Sequence, residues 1–124
     1  MSGQLQILIA DRNAMVVEAV KDLFVELDGG AGVLTAGSLE EALQIAQREQ
    51  PELIVIDAWM GADADVAVGQ VLACSPGSGV FVMATDCDEE FDRRMRRAGA
   101  TGCCEKADMP AKARLILDTM RRST

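Results

Sequence analysis

Acidic residues and a lysine stand at the ends of apolar runs in this sequence. Asp11 follows LQILIA, Asp57 ends ELIVID, and Lys106 follows TGCCE. Carboxylates can attack phosphorus and bind divalent cations such as Mg²⁺, and a lysine ammonium neutralises phosphoryl oxygens. Phosphoryl transfer needs little more than these groups, because positioning and charge stabilisation provide most of its catalysis. The residue types therefore indicate a phosphoryl-transfer site.

A hydroxyl and an arginine lie at equivalent places in the pattern. Thr85 and Asp86 follow the apolar run VFVMA, and Arg12 follows Asp11. The threonine hydroxyl can donate a hydrogen bond to a phosphoryl group. The arginine guanidinium has no acceptor and stays protonated, so it cannot bind a cation. Arg12 therefore either pairs with Asp11 and Asp57 in place of a cation or weakens the binding of one.

Short apolar runs alternate with amphipathic segments, and these elements must position the charged groups. Predicted strands are Leu5–Ala10, Val33–Ala36, Glu52–Asp57, Val80–Ala84 and Thr101–Glu105. Predicted helices are Asn13–Leu27, a segment capped by Ser38 and closed by Pro51, Asp65–Cys74, Asp88–Ala98, and Pro110 to about Arg122. Five strands alternating with five helices predict a parallel sheet with helices on both faces. Ligands of such sheets bind outside the carboxyl ends of the strands, where the charged groups fall.

Length and composition limit the possible functions. The 124 residues, 49% of them hydrophobic, predict one domain over 1–124 with about 6–120 structured. The absence of a long apolar run and of a signal-peptide pattern favours a cytoplasmic protein without membrane contact. A net charge of −8 argues against direct nucleic-acid binding. Without histidine, the chain cannot form a Ser-His or Cys-His hydrolase site.

The four cysteines allow two interpretations. Cys74, Cys87, Cys103 and Cys104 form no CxxC pair, which argues against a zinc cluster. The main expectation is that they are small buried residues with free thiols. The alternative is a thiol redox sensor, because Cys87 follows the fourth strand and Cys103 lies in the fifth, so the two could be neighbours. Cys103 and Cys104 cannot easily pair with each other, since side chains alternate across a strand.

Several motifs together resemble the receiver domain of two-component response regulators. They are ILIAD (Ile7–Asp11), SLEEALQIAQREQPELIVID (Ser38–Asp57), RAGATG (Arg97–Gly102) and Lys106. The likeness extends over about Gln6 to Met120. It implies a flavodoxin-like, doubly wound parallel sheet of five strands in the order 2-1-3-4-5, with five helices in a three-layer α/β/α arrangement.

The resemblance also implies a role for each site residue. Asp57 would accept a phosphoryl group from a sensor histidine kinase or a phosphotransfer protein. Lys106 would contact the phosphoryl oxygens, and Thr85 would be the hydroxyl that moves toward them. Asp11, Asp57 and the backbone carbonyl of Trp59 would bind Mg²⁺. The domain would be a signalling module rather than an enzyme, with at most self-catalysed phosphotransfer and autodephosphorylation.

The sequence departs from the family pattern at several strand ends. Arg12 stands where the family has a second metal-binding acid, and Cys103 stands where it has an aromatic switch residue. Asp86 replaces the usual small residue after the hydroxyl position. The family spacing between hydroxyl and lysine leaves either Thr85 or Ala84 in that position.

Two versions of the function follow from these departures. In the first, the domain accepts a phosphoryl group but binds Mg²⁺ weakly. In the second, it is an atypical receiver that signals as a protein-interaction module without Mg²⁺-dependent phosphorylation. Both versions imply an output protein or domain as partner, and a homodimer would also fit. The basic segment DRRMRR (Asp92–Arg97) is either a solvated helix face or a docking surface for such a partner.

Overall fold

The structure is a computed structural model that describes residues 5–29 and 32–122, and its strands and helices alternate along the chain. The strands are β1 (Gln6–Ala10), β2 (Gly32–Ala36), β3 (Leu53–Asp57), β4 (Gly79–Ala84) and β5 (Gly102–Glu105). The helices are α1 (Ala14–Asp28), α2 (Leu39–Glu49), α3 (Ala64–Cys74), α4 (Glu89–Ala98) and α5 (Met109–Arg122). A 3-10 turn, Lys106–Asp108, joins β5 to α5.

The strands form one parallel sheet in the order β2-β1-β3-β4-β5, which confirms the predicted flavodoxin-like topology. Ala10 pairs with Ile56, and Asp57 pairs with Met83. Ala84 pairs with Glu105. The carboxyl ends of β1, β3, β4 and β5 are thus aligned, and the residues that follow these strands share one edge of the sheet.

Two apolar clusters cover the two faces of the sheet. Leu8, Ile54 and Ile56 lie in the cluster beneath α2, α3 and α4, whereas Ile7 and Val55 lie in the cluster beneath α1 and α5. Neighbouring residues of one strand thus point to opposite clusters, as the two-residue period of a strand requires. Burial on both faces explains why the runs ILIA and LIVI are continuously apolar.

Side-chain caps fix where the helices begin. The Asn13 side chain accepts hydrogen bonds from the backbone N–H groups of Met15 and Val16 at the start of α1. Ser38 Oγ accepts from the Glu41 N–H (3.1 Å) at the start of α2. The prediction that Pro51 closes α2 is slightly wrong, because the chain already leaves the helix at Gln50. That residue has a left-handed φ of 49°.

Gly99 ends α4 in a conformation that only glycine adopts readily. Its φ is 114°, and a methyl group there would lie 2.5 Å from Leu72 Cδ1. Gly99→Ala is therefore expected to lower the free energy of unfolding by about 2–4 kcal/mol, through backbone strain and steric overlap. Urea unfolding followed by circular dichroism measures the change.

Gly69→Ala is the matched control for this substitution. Gly69 lies inside α3, and an added Cβ meets nothing within 4 Å. Alanine should stabilise that helix by about 0.5–1 kcal/mol. Equal effects at the two glycines would contradict the steric explanation for Gly99.

Candidate functional site

An ammonium group bridges two carboxylates at the carboxyl edge of the sheet. Lys106 Nζ lies 2.7 Å from Asp57 Oδ1 and 3.0 Å from Asp11 Oδ2. Asp11 is 2% exposed and Asp57 is 9% exposed, while the Lys106 side chain is 31% exposed. The structure thus brings together three of the residues predicted from the sequence.

Local turns hold the remaining oxygen of each carboxylate. Asp11 Oδ1 accepts a hydrogen bond from the Asn13 N–H (2.8 Å), and Asp57 Oδ2 accepts one from the Trp59 N–H (3.1 Å). In both cases the side chain bonds to the backbone two residues on, where the chain leaves the strand. Each acid is therefore oriented before any ligand arrives.

Asp57 and Asp11 stabilise the charged form of Lys106. Burial alone would lower the pKa of Lys106, but hydrogen bonds and attraction from Asp57 and Asp11 outweigh it. The pKa of Lys106 is therefore raised above its usual value, and the side chain is charged at neutral pH. A cation at this position compensates two carboxylates that would otherwise face each other in a poorly solvated place.

The prediction that Arg12 pairs with Asp11 and Asp57 is wrong. Arg12 is exposed and has no ion-pair partner within residues 5–29 and 32–122, and Lys106 holds the bridging position instead. The reason is the alternation of side chains beyond β1, which directs Asp11 inward and Arg12 outward. Arg12 nevertheless lines one open cleft with Asp11, Asp57 and Trp59, so its charge lies at the mouth of the site.

The residues at this edge offer a magnesium ion fewer acidic ligands than the family pattern does, because Arg12 stands in place of the second metal-binding acid. Asp11 and Asp57 offer carboxylate oxygens, the ligand type that Mg²⁺ prefers. Asp11 Oδ2 is buried and, among the described residues, has no aligned hydrogen bond besides its ion pair with Lys106. Arg12 supplies no ligand. The metal roles of Asp11, Asp57 and the Trp59 carbonyl stay predictions.

The predicted hydroxyl stands outside the cluster. Thr85 comes directly after β4 and is exposed, and no hydrogen bond to Asp57 or Lys106 is found for it in the described part of the chain. Ala84, the other residue that the spacing allows, is the buried last residue of β4 and carries no hydroxyl. Of the two residues that the spacing allows, only Thr85 therefore carries a hydroxyl, and its role at the site stays a prediction.

Comparisons with known proteins agree with this geometry. The response regulator GacA of Pseudomonas viridiflava is 29% identical over 123 aligned residues, covering 94% of this chain and 57% of that protein. The receiver domain of a NarL-type response regulator from Mycobacterium tuberculosis superposes with a TM-score of 0.82 at 18% identity, covering 97% and 98% of the two chains. This chain is thus similar in sequence to response regulators and has the fold of their receiver domains.

Two further findings delimit the comparison. A response regulator from Burkholderia pseudomallei, solved with a phosphorylated aspartic acid, a calcium ion and citrate, superposes with a TM-score of 0.79. It is 20% identical to this chain, and the match covers 94% of this chain and 66% of that one. No family model matches the sequence. This chain spans a little over half the length of the curated GacA relatives that it matches.

The expectation of four free thiols is wrong for two of them. Cys87 and Cys103 are joined by a disulfide, while Cys104 is buried and free and Cys74 is partly exposed and free. The loop between β4 and α4 brings Cys87 back over β5, so Cys87 and Cys103 are the neighbours that the alternative interpretation of the cysteines allowed. Cys103 and Cys104 pack against opposite faces of the sheet, as alternation predicts.

Sequence reasoning missed two polar contacts near this disulfide. The Cys87 N–H donates to Glu105 Oε2 (3.3 Å), and the Cys103 N–H donates to Asp92 Oδ1 (3.3 Å). Both acceptors are charged residues that the sequence pattern places on solvated faces. Only the path of the β4–α4 loop and the packing of α4 on β5 bring them to the cysteine backbone.

The positive charges of the basic segment of α4 are partly neutralised by neighbouring residues of this chain. Arg96 pairs with Asp92 (2.8 Å), and Arg94 lies over the Phe91 ring. Arg93 and Arg97 are exposed and have no ion-pair partner among the residues that the structure describes. None of the described helices combines the length and apolar character needed to cross a membrane.

Proposed function

We propose that this chain is a response regulator receiver domain that accepts a phosphoryl group on Asp57 from a phosphohistidine of a sensor histidine kinase or phosphotransfer protein. The observation that carries the proposal is the 2.7 Å contact between Lys106 Nζ and Asp57 Oδ1 at the strand ends. A carboxylate that is nearly buried, oriented and next to a fixed cation is suited to attack phosphorus rather than to serve as a surface charge.

The chemistry requires few groups. An oxygen of Asp57 forms a bond to phosphorus while the bond from phosphorus to the donor's imidazole nitrogen breaks, and the imidazole leaves with a proton. The ammonium of Lys106 neutralises the phosphoryl oxygens, and Thr85 donates to one of them after moving inward. Water then hydrolyses the acyl phosphate and restores the carboxylate. Bound Mg²⁺, held by Asp11 and Asp57, would supply further charge neutralisation.

Incubation with a small phosphodonor such as phosphoramidate, followed by intact-mass measurement, tests the proposal. The wild-type protein should gain one phosphoryl group, and Asp57→Asn should gain none, because the amide is not a nucleophile at neutral pH. Asp63→Asn is the matched control, since Asp63 is an exposed acid after the same strand with no side-chain capping bond. Phosphorylation of Asp57→Asn at the wild-type rate would contradict the assignment.

The second candidate function is a binding module that signals without phosphorylation. It is favoured by the bridge that Lys106 makes to Asp11 and Asp57, which neutralises the acids without a metal ion, and by Arg12 at the mouth of the cleft. In that case neither phosphoramidate nor beryllofluoride changes the protein. An output partner or a second copy of the chain would then bind Asp57→Asn and wild type equally.

A further inference from the structure

We propose that Cys87 and Cys103 are a redox-modifiable pair whose disulfide clamps the β4–α4 loop onto β5. The two Cα atoms lie 6.7 Å apart, within the range that a disulfide spans. Cys103 belongs to β5, whereas Cys87 is held by the short segment between β4 and α4. The bond therefore joins a loop to a strand of the sheet rather than two rigid elements.

Hydrogen bonds place the two cysteines independently of the bond between them. The Cys87 N–H donates to Glu105 of β5, and the Cys103 N–H donates to Asp92 of α4. One hydrogen bond runs from the β4–α4 loop to β5, and the other runs from β5 to α4. They keep the two sulfur atoms close when the bond is reduced, which is what a reversible pair requires.

The surroundings of the pair select the oxidant. Both cysteines are partly exposed and line one open cleft with Asp88, Glu89, Asp92 and Arg93. Three carboxylates against one guanidinium leave this lining net negative, which disfavours an anionic oxidant such as glutathione disulfide relative to neutral hydrogen peroxide. One thiolate attacks peroxide to give a sulfenic acid and water, and the second thiol displaces a further water to form the disulfide. Two thiols and one peroxide thus give one disulfide and two waters.

A metal site is the competing use of the same atoms. Cys87, Cys103 and Asp92 place ligand atoms within 4.8 Å of one another. However, the Asp92 carboxylate already accepts from Arg96 (2.8 Å) and from the Cys103 N–H (3.3 Å). A zinc ion would have only two uncommitted ligands, fewer than a structural site uses. The disulfide is therefore the use that the geometry favours.

The clamp also bears on Asp57, and this part rests on the proposed function. Thr85 lies two residues before Cys87 and must move inward to donate to a phosphoryl group on Asp57. A disulfide at Cys87 restrains that movement. The oxidised protein should accept a phosphoryl group roughly 10- to 100-fold more slowly than the reduced protein, the usual effect of a misplaced catalytic group.

Thiol counting tests the pair without any phosphoryl transfer. Fully reduced wild type has four thiols, and after hydrogen peroxide it should show two, with the missing pair mapped to Cys87 and Cys103. Cys74→Ser, the matched control, should fall from three thiols to one, whereas Cys87→Ser and Cys103→Ser should form no intramolecular disulfide. Reduction should lower the Tm of wild type by on the order of 10 °C and leave that of Cys87→Ser unchanged.

Two results would overturn the proposal. One is the persistence of four thiols after peroxide. The other is stoichiometric zinc binding by the reduced protein that disappears in Cys87→Ser, which would make the cluster a metal site. If the thiols are lost as expected but both redox forms take up phosphate from phosphoramidate at equal rates, the coupling to Asp57 is refuted while the redox pair stands. If neither form is phosphorylated, the proposed function fails instead.

Discussion

Lys106→Met is expected to lower the free energy of unfolding by about 1–3 kcal/mol at neutral pH. The substitution leaves the carboxylates of Asp11 and Asp57, which are nearly buried, without their shared cation. Removing one partner of a fully buried ion pair costs about 3–5 kcal/mol, and the partial exposure of Lys106 reduces that figure. Methionine keeps the length of the aliphatic stem, so the loss reports the charge.

The pH dependence of this difference gives a second check. Because the pKa of Lys106 is raised in the folded protein above 10.5, its contribution is fully present below that value. The contribution disappears as the pH rises through the higher folded pKa. Urea unfolding should therefore give a constant difference between wild type and Lys106→Met from neutral pH to about pH 10, and a smaller one above it.

Lys112→Met is the matched control for Lys106→Met. Lys112 is an exposed lysine of α5, and a surface substitution of this kind changes stability by roughly 0.5 kcal/mol or less. A similar loss in both variants would show that the bridge to Asp11 and Asp57 contributes nothing special. On the proposed function, Lys106→Met should also slow phosphorylation of Asp57 roughly 100-fold, while Lys112→Met should not.

Arg12→Asp is expected to strengthen Mg²⁺ binding by roughly 10- to 100-fold. The change removes a positive charge from the mouth of the cleft and adds an oxygen ligand beside Asp11 and Asp57. Trp59 is the only tryptophan of the sequence, its backbone N–H donates to Asp57, and it lines the same cleft, so its fluorescence should respond to the ion. A titration with MgCl₂ then gives the Kd directly.

Arg97→Asp makes the same change in charge away from the site. Arg97 is exposed on α4 and lines no part of the cleft that holds Asp57. Its Mg²⁺ affinity should equal that of wild type to within the small effect of net charge. If both variants bind Mg²⁺ equally well, the charge of Arg12 does not limit Mg²⁺ binding.

The sequence predicted the fold and the meeting of Asp11, Asp57 and Lys106 for one physical reason. Continuous apolar runs indicate strands buried on both faces, and parallel strands end at a common edge, so groups that follow them must converge. The elements themselves were predicted to within one or two residues, because signals such as the Ser38 cap are local.

Features that depend on the path of single residues could not be predicted in the same way. Whether Arg12 points into or out of the site depends on the backbone one residue beyond β1. The pairing of Cys87 with Cys103 depends on how four loop residues turn back over β5, across a sequence separation of 16. Because the direction of the Arg12 side chain could not be predicted, the sequence also left open whether Lys106 or Arg12 bridges the two acids.

The end of β5 links two sites through a single peptide unit. Glu105 accepts from the backbone of Cys87, and its neighbour Lys106 bridges Asp11 and Asp57. A rotation of the backbone at this point would move both side chains. We therefore expect the acid pair and the cysteine loop to be thermodynamically coupled, so that substitutions in the two sites do not add as independent changes in free energy.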